Sequence, residues 1–358
     1  MFGATGVVGL SAARHFATLE NTSVVGVSRR AAGLAGVQDV PLDLSDPTKC
    51  RSVLGSDLFA GTTHIVYAAL QESGELVAGW RDRGLMDYNL LLFRNAVEPL
   101  VTAQAASLRH ISLLQGAKAY GLHVGRSPMP AKERSVRDEH GNFYFLQEDA
   151  LRQLADGAGW SWTIFRPQVV YGQSFGSPMN LLPVIGVYAA VERARGRPLC
   201  FPGGPPAAQE AVDARLLARA LDWAAGSRNA RNQIFNVTNG DVFCWRDVWP
   251  AIADMFGMEV GDPEPLRLAD AMPARSDEWA DIVDSYGLAA PRDMAAFVGG
   301  SWTYADILFG SAGVRPLPAL LSTVKIRQAG FADCIDTEDM FRELIGEMQG
   351  RRLLPGPG

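Results

Sequence analysis

Lysine is scarce in this chain of 358 residues, occurring only at positions 49, 118, 132 and 325. None of the four has a tyrosine four places before it, where Ser45, Leu114, Pro128 and Leu321 stand instead. A phenol and an ammonium one helical turn apart, which lets the cation lower the phenol's pKa for acid–base work, is therefore excluded. Cysteine is also sparse. Cys50, Cys200, Cys244 and Cys334 show no C-x-x-C spacing and no disulfide framework, so they read as reduced packing residues of a cytoplasmic protein. Five dispersed histidines lack the i, i+4 partner or cysteine neighbour of a metal helix, and they read as structural. A basic surplus is missing too. The net charge is −6 with the arginines scattered, which argues against nucleic acid or an anionic membrane as partner. The longest apolar stretch, Leu181 to Val191, contains Pro183 and is too short to span a bilayer. No signal peptide is expected ahead of the first motif.

Glycine is not scarce, and its first cluster is informative. The chain opens on Met1-Phe2-Gly3-Ala4-Thr5-Gly6-Val7-Val8-Gly9, a G-x-x-G-x-x-G loop running into the apolar-periodic segment Leu10 to Leu19. Such a loop brings backbone N–H groups up to a pyrophosphate at a helix N-terminus, because glycine has no Cβ to obstruct it. About twenty residues further on, where NAD-preferring folds carry an acid for the ribose 2′-hydroxyl, a short β-branched strand ends in Ser28-Arg29-Arg30. Arginine suits a 2′-phosphate through bidentate charge-assisted contacts, so the expected cofactor is NADP(H). Only Met1 and Phe2 precede Gly3, whereas a buried strand of about five residues is expected there. The expectation is that a few residues are missing from this end.

The remaining pattern alternates strands and helices. Val40 to Ser45 is a strand ending at Asp43-Leu44, Thr63 to Leu70 is a continuous apolar run through Ala68 and Ala69, and Asn89 to Leu100 has helical spacing. Arg109 to Tyr120 reads as the next strand, Glu148 to Ala155 as a helix and Trp160 to Gly172 as a strand. This cadence predicts an α/β fold: a Rossmann-type doubly wound parallel sheet with a smaller, mainly helical C-terminal substrate-capping region. The nucleotide domain is expected over 1–175 with returns at about 209–240, and the capping region over 176–208 and 241–358. The tail is rich in tryptophan, with Trp245, Trp249, Trp279 and Trp302 reading as core or pocket lining.

Two stretches, Gln115-Gly-Ala-Lys118-Ala-Tyr120-Gly121 and Gly141-Asn142-Phe143-Tyr144-Phe-Leu-Gln-Glu148-Asp149, resemble the signatures of the progesterone 5β-reductase/iridoid synthase-like (PRISE) enzymes. These are an atypical extended short-chain dehydrogenase family that takes its lysine from a strand end and its tyrosine from a helix start. Further matches are Arg166-Pro167 with Ser177-Pro-Met179-Asn180, Phe235 to Trp245, Lys325 to Phe331, and Asp336-Thr337, so the resemblance covers nearly the whole chain. It implies that Tyr144 donates a hydrogen bond to the substrate oxygen and that Lys118 is the cation beside it. It also implies a cofactor site made of Gly3, Thr5, Gly6, Val7, Val8, Gly9, Ser28, Arg29, Arg30, Asp43, Leu44, Ala68, Ala69, Gln115, Pro167, Val169, Ser177 and Met179, with Asp43-Leu44 at the adenine. The plain alternatives are a core aromatic at a helix start for Tyr144 and a solvated loop cation for Lys118. Tyr120 and Tyr171 lack the motif setting and read as packing residues. Glu148 and Asp149 read as acids favoured by a helix dipole.

The implied reaction is hydride transfer from NADPH to the β-carbon of an α,β-unsaturated carbonyl compound. Direct carbonyl reduction or alcohol oxidation, and an NADP-binding regulator without turnover, are the rival readings. A sugar-nucleotide epimerase fits less well, since that chemistry goes with the missing Tyr-x-x-x-Lys pair. Where plant members carry Gly-Pro-Phe after the lysine, this chain has Gly121-Leu122-His123-Val124, which leaves a steroid or iridoid substrate unsupported. The partner is a small enone or carbonyl compound, and the oligomeric state stays open, a homodimer included.

Overall fold

β-Branched and aromatic residues in short runs, each followed by an amphipathic segment, form parallel strands linked by helices. The structure, a computed structural model, describes residues 1–126, 128–137, 139–311 and 319–357. Strands β1 (Val24–Ser28) and β2 (Val37–Pro41) pair in parallel. Strands β3 (His64–Tyr67), β4 (His110–Leu114) and β5 (Ser161–Pro167), followed by the later strand Gln233–Val237, form a four-stranded parallel group in that order. Phe2 joins the two groups, bridging Val27 of β1 and Tyr67 of β3. Its N–H donates to the Val66 carbonyl at 2.9 Å, and the Ala68 N–H donates to its carbonyl at 3.1 Å. Met1 and Phe2 thus occupy the row between β1 and β3. The Met1 ammonium donates to the Val25 carbonyl at 2.8 Å, and burial lowers its pKa to about 5.

Helix α1 (Val7–Phe16) packs on the helix Ala214–Gly226, with His15 Nε2 2.9 Å from Asp222 Oδ2. Helix α2 (Pro47–Leu54) starts at Asp46, whose carboxylate accepts from the Thr48 and Lys49 N–H groups, with proline in the first turn. A short helix α3 (Leu76–Gly79) leads to the long α4 (Arg83–Ala103), against which α2 and α5 (Phe143–Ala155) pack. Leu92, Phe93, Ala96 and Val97 of α4 share one core with Ile65, Ile111 and Ile164 of the sheet. The sheet is doubly wound, as the alternating pattern predicts.

The chain divides into two compact units. The first comprises Met1–Val169, Ala214–Thr238 and Leu321–Asp333, and the second Val170–Asp213, Asn239–Leu320 and Cys334–Gly358, of which 312–318 and 358 lie outside the described residues. Composition and turn signals place the first crossing near 175; the chain leaves the first unit at Val169, two residues past the end of β5. They also assigned 321–333 to the capping region, whereas this segment belongs to the first unit. Its hold there is specific: the Ser322 N–H donates to the Ala131 carbonyl at 2.8 Å and Lys325 Nζ to the Ile234 carbonyl at 2.9 Å.

The second unit is mainly helical. Its apolar segment Leu181–Ala194 is a core helix with nearly every residue buried, and Pro183 stands in its first turn, where no N–H partner is lost. Trp245, Trp249, Trp279 and Trp302 are all buried, and Trp245 packs edge-on against Phe309 at 4.8 Å between ring centroids. They are core. Among the described residues no helix is long and apolar enough to cross a membrane.

Candidate active site

The first half of the site is the turn from Phe2 into α1. Gly3 has φ +79°, and a Cβ there would lie 2.8 Å from the Ala68 and Ala69 backbone, so the loop rests on the end of β3. A Cβ on Gly9 would lie 1.9 Å from the Gly3 carbonyl oxygen. Glycine at both positions is a condition of the turn. Gly6 stands at the N-cap with no side-chain cap, and no acid occupies the first turn, so Val7, Val8 and Gly9 begin the helix without a competing carboxylate. Thr5 lies within the loop. Ser28 ends β1 mostly buried, its hydroxyl bonded to the Arg30 carbonyl, while Arg29 and Arg30 are exposed. The turn beyond them is held by Asp39, which accepts from the Ala32 and Gly33 N–H groups at 2.8 and 3.0 Å. Hydrogen bonds from Ser45 hold the Asp43 carboxyl below its ordinary range, and Asn95 Nδ2 donates to the Leu44 carbonyl at 2.8 Å.

The second half lies at the carboxyl ends of β4 and β5. Arg109 to Tyr120 reads as one strand in the sequence, but β4 stops at Leu114. Gly116 is fully extended, and Ala117–Tyr120 forms a 3-10 turn that Gly121 ends at φ +82°. This turn carries Lys118. Helix α5 begins at Phe143 and carries Tyr144 in its first turn. The Tyr144 hydroxyl lies against Gly116, where a Cβ would come within 3.1 Å of it. Lys118 Nζ sits 5.8 Å from the Tyr144 ring centroid, 5.6 Å from that of Phe143 and 4.8 Å from that of Trp80. Tyr144 is 6% exposed and the Lys118 side chain 15%. Neither is a surface residue.

One side chain ties these two residues together. Asn142 caps α5, its Oδ1 accepting from the Tyr144 N–H at 3.0 Å, while its Nδ2 donates to the Lys118 carbonyl at 2.9 Å. Gln115 is engaged at both ends of its amide. Nε2 donates to the Tyr144 carbonyl at 2.9 Å, and Oε1 accepts from Arg166 Nε at 2.9 Å. Arg166 then donates to Glu148 Oε2 at 3.1 Å.

Glu148 therefore does not act through a helix dipole. The dipole reading took the helix to begin at Glu148, but α5 starts at Phe143 and Glu148 lies beyond its first turn. Its side chain is 5% exposed and is also met by Arg152 at 3.0 Å and Arg137 at 3.1 Å. Asp149 is exposed and pairs with Arg137 at 2.8 Å. The competing phenols are buried, Tyr120 with its hydroxyl bonded to Asn236 Oδ1 at 2.6 Å.

Sequence reasoning missed Glu72. Its Oε1 accepts from Lys118 Nζ at 3.1 Å, with the glutamate side chain 4% exposed. Burial pushes the Lys118 ammonium below its ordinary pKa, and the Glu72 charge and hydrogen bond push it back up. In the sequence Glu72 lies in a polar run, Gln71 to Glu75, and carries no signal beyond that of a turn.

The structure brings the glycine loop together with Ala68 and Ala69, and Tyr144 together with Lys118, Gln115 and Pro167, all in the first unit. Val169 is the last residue of that unit's first segment. Ser177 and Met179 belong to the second unit, where Ser301 Oγ donates to the Ser177 carbonyl at 2.6 Å. Among the described residues no group of three or more His, Cys, Asp or Glu is placed to hold a metal ion.

A doubly wound sheet with a glycine turn into its first helix, and a tyrosine beside a lysine at its carboxyl edge, is the architecture of short-chain dehydrogenase/reductase oxidoreductases. Solved structures agree on the fold. The UDP-glucose 4-epimerase of Thermotoga maritima matches with a TM-score of 0.66 at 13% identity, covering 98% of this chain and 97% of that one. The UDP-glucose 4-epimerase of Thermus thermophilus in complex with NAD matches with a TM-score of 0.64 at 17% identity, covering 98% of each chain. Within that class, the chain belongs to the PRISE-like Rossmann-fold domain family, whose sequence model matches residues 77–308. Among its relatives is (S)-8-oxocitronellyl enol synthase of Antirrhinum majus, 30% identical over 99% of this chain and 92% of that protein. The 3-oxo-Delta(4,5)-steroid 5-beta-reductase of Arabidopsis thaliana is 28% identical over 99% of this chain and 92% of that protein.

Proposed function

We propose that this protein is an NADPH-dependent reductase of α,β-unsaturated carbonyl compounds, in which Tyr144 and Lys118 stabilise the oxygen anion that develops as the β-carbon accepts hydride. The observation that carries the reading is the burial of the Tyr144 phenol and the Lys118 ammonium in one cluster at the carboxyl ends of β4 and β5, the edge where doubly wound sheets bind their ligands. The names of the relatives, an enol synthase and a steroid 5-beta-reductase, agree with it.

The residues present suit a dinucleotide. The Gly3 to Gly9 turn is free of Cβ obstruction and of first-turn acids, and exposed Arg29 and Arg30 follow β1 where a 2′-phosphate would be recognised. The bound nicotinamide would supply the hydride. The chain's own residues do the rest. The Tyr144 hydroxyl donates a hydrogen bond to the substrate carbonyl oxygen, and that bond strengthens as the oxygen takes on enolate charge. Lys118 adds positive charge in a setting from which water is largely excluded, where it acts at lower effective dielectric than in bulk solvent. Asn142 and Gln115 fix the backbone on which both side chains stand.

The test is product analysis with 2-cyclohexen-1-one, supplying NADPH or NADH. The expected outcome is cyclohexanone, with NADPH the better donor. Formation of the allylic alcohol would make the protein a carbonyl reductase. Tight NADPH binding with no oxidation across enones and aldehydes would make it a non-catalytic binding protein.

A further inference from the structure

We propose that Glu72 is a positioning residue for the reaction: its carboxylate, buried against the Lys118 ammonium, keeps that amine charged and oriented beside the Tyr144 phenol. The inference rests on the reading of Tyr144 and Lys118 as the reactive pair, and it adds a residue that belongs to no signature motif of the chain.

The surroundings of Lys118 are aromatic. Trp80, at the end of α3, and Phe143 and Tyr144, at the start of α5, enclose the ammonium with their rings. Ring faces attract a cation but accept no proton and replace little of the hydration it loses, so an amine there would discharge readily. The other titratable groups nearby do not help. His123, in the next turn, has its pKa pushed down to about 4 by burial, then by His140, Lys118 and Arg81, so it is a neutral neighbour. The His140 ring packs on His123 at 5.0 Å, and Arg81 donates to the His123 carbonyl at 3.1 Å, adding a second cation rather than an anion. Among the described residues, Glu72 is the carboxylate that meets this amine.

Glu72 is also held in place by the scaffold. Its neighbour Gln71 is clamped by Asn89 of α4, which is 1% exposed. Asn89 Oδ1 accepts from the Gln71 N–H, and Asn89 Nδ2 donates to the Gln71 carbonyl, both at 2.9 Å. The Asn89 carbonyl in turn accepts from Gln147 Nε2 of α5 at 3.1 Å. The helix that carries Tyr144 thereby fixes the loop that carries the counter-charge to Lys118. A surface loop acid would have no use for two buried side-chain amides behind it.

The experiment combines a pH–rate profile with a direct titration of the amine. With only four lysines in the chain, the Lys118 resonance of protein labelled with 13C at the lysine ε-carbon is identified by its loss in Lys118→Met. The charged amine is the active form, so activity falls as pH rises through the Lys118 pKa. Removing the negative partner lowers that pKa. In Glu72→Gln the Lys118 titration midpoint and the alkaline limb of kcat should both move to lower pH, so that activity is lost at a pH where the wild type still turns over. Glu72→Asp, which keeps the charge on a shorter arm and guards against a folding defect in the neutral variant, should fall between the two. A Lys118 midpoint unchanged in Glu72→Gln overturns the inference, as does a moved midpoint with an unmoved rate profile. Full turnover by Lys118→Met would instead overturn the reading of the reactive pair, whatever Glu72 does.

Discussion

Where Gly3 to Gly9 turns into α1, the surface offered to a ligand is main chain, shaped by side chains that are missing. Where Tyr144 meets Lys118, it is side chain, held by buried polar groups from five separated segments: Gln71-Glu72, Asn89, Gln115 to Lys118, Asn142 to Glu148 and Arg166. The first surface is local in sequence and has no room for a Cβ at Gly3 or Gly9. The second is assembled across the sheet and depends on charges being matched.

The comparison is broken most forcefully at Glu148. Glu148→Ala leaves the Arg166 guanidinium, itself 6% exposed, without its carboxylate partner. Breaking a buried pair from one side costs about 3–5 kcal/mol. Equilibrium urea unfolding should show that loss as a lower midpoint at unchanged slope, and the variant should lose turnover along with stability because Arg166 supports Gln115 and, through it, the Tyr144 carbonyl.

A smaller free-energy effect with a cleaner readout comes from Tyr144→Phe. Losing one donor to a developing oxygen anion lowers kcat by roughly 10²–10³-fold. The Kd for NADPH should be unchanged, as measured by quenching of protein fluorescence. A variant matching the wild type would return Tyr144 to the rank of a core aromatic.

At the backbone end, Gly9→Ala forces a Cβ to within 1.9 Å of the Gly3 carbonyl unless the turn moves. Overpacking of this kind costs about 1–3 kcal/mol. The outcome that sharpens the comparison is a selective one: cofactor affinity should fall by more than thermal stability does, because the turn can shift but then no longer presents its N–H groups at α1. Equal loss of both would mean that the turn serves the core alone.

The same division separates what was legible in the sequence from what was not. The glycine turn, the order of strands and helices, and the placement of Tyr144 beside Lys118 could all be read, the first from spacing and the last from two short motifs. Glu148 was misread because the start of α5 lies at Asn142-Phe143, and a shift of a few residues in a helix boundary turns a buried ion-pair acid into an apparent first-turn acid. Glu72 and Asn89 were invisible because their partners lie far off in the chain: Glu72 pairs with Lys118, and Asn89 with Gln71 and Gln147. The segment Leu321–Asp333 was misassigned for a similar reason. Its contacts with Ala131 and Ile234 are main-chain acceptors with no composition signal. Met1 and Phe2 filling the gap in the sheet likewise depends on pairing that begins only once β1 and β3 stand on either side.

The bifunctional amide of Asn142 has a consequence for how such a site can change. Because one planar group grips the tyrosine's amide hydrogen on one side and the lysine's carbonyl on the other, the main-chain positions that carry phenol and amine form a single tool rather than two independently adjustable parts. Tilting the helix to suit a larger molecule would drag the strand-end turn with it. New substrate preferences in this scaffold are therefore expected to arise from the walls around that tool, such as the Leu122 to Val124 turn, and not from resetting the distance between its prongs.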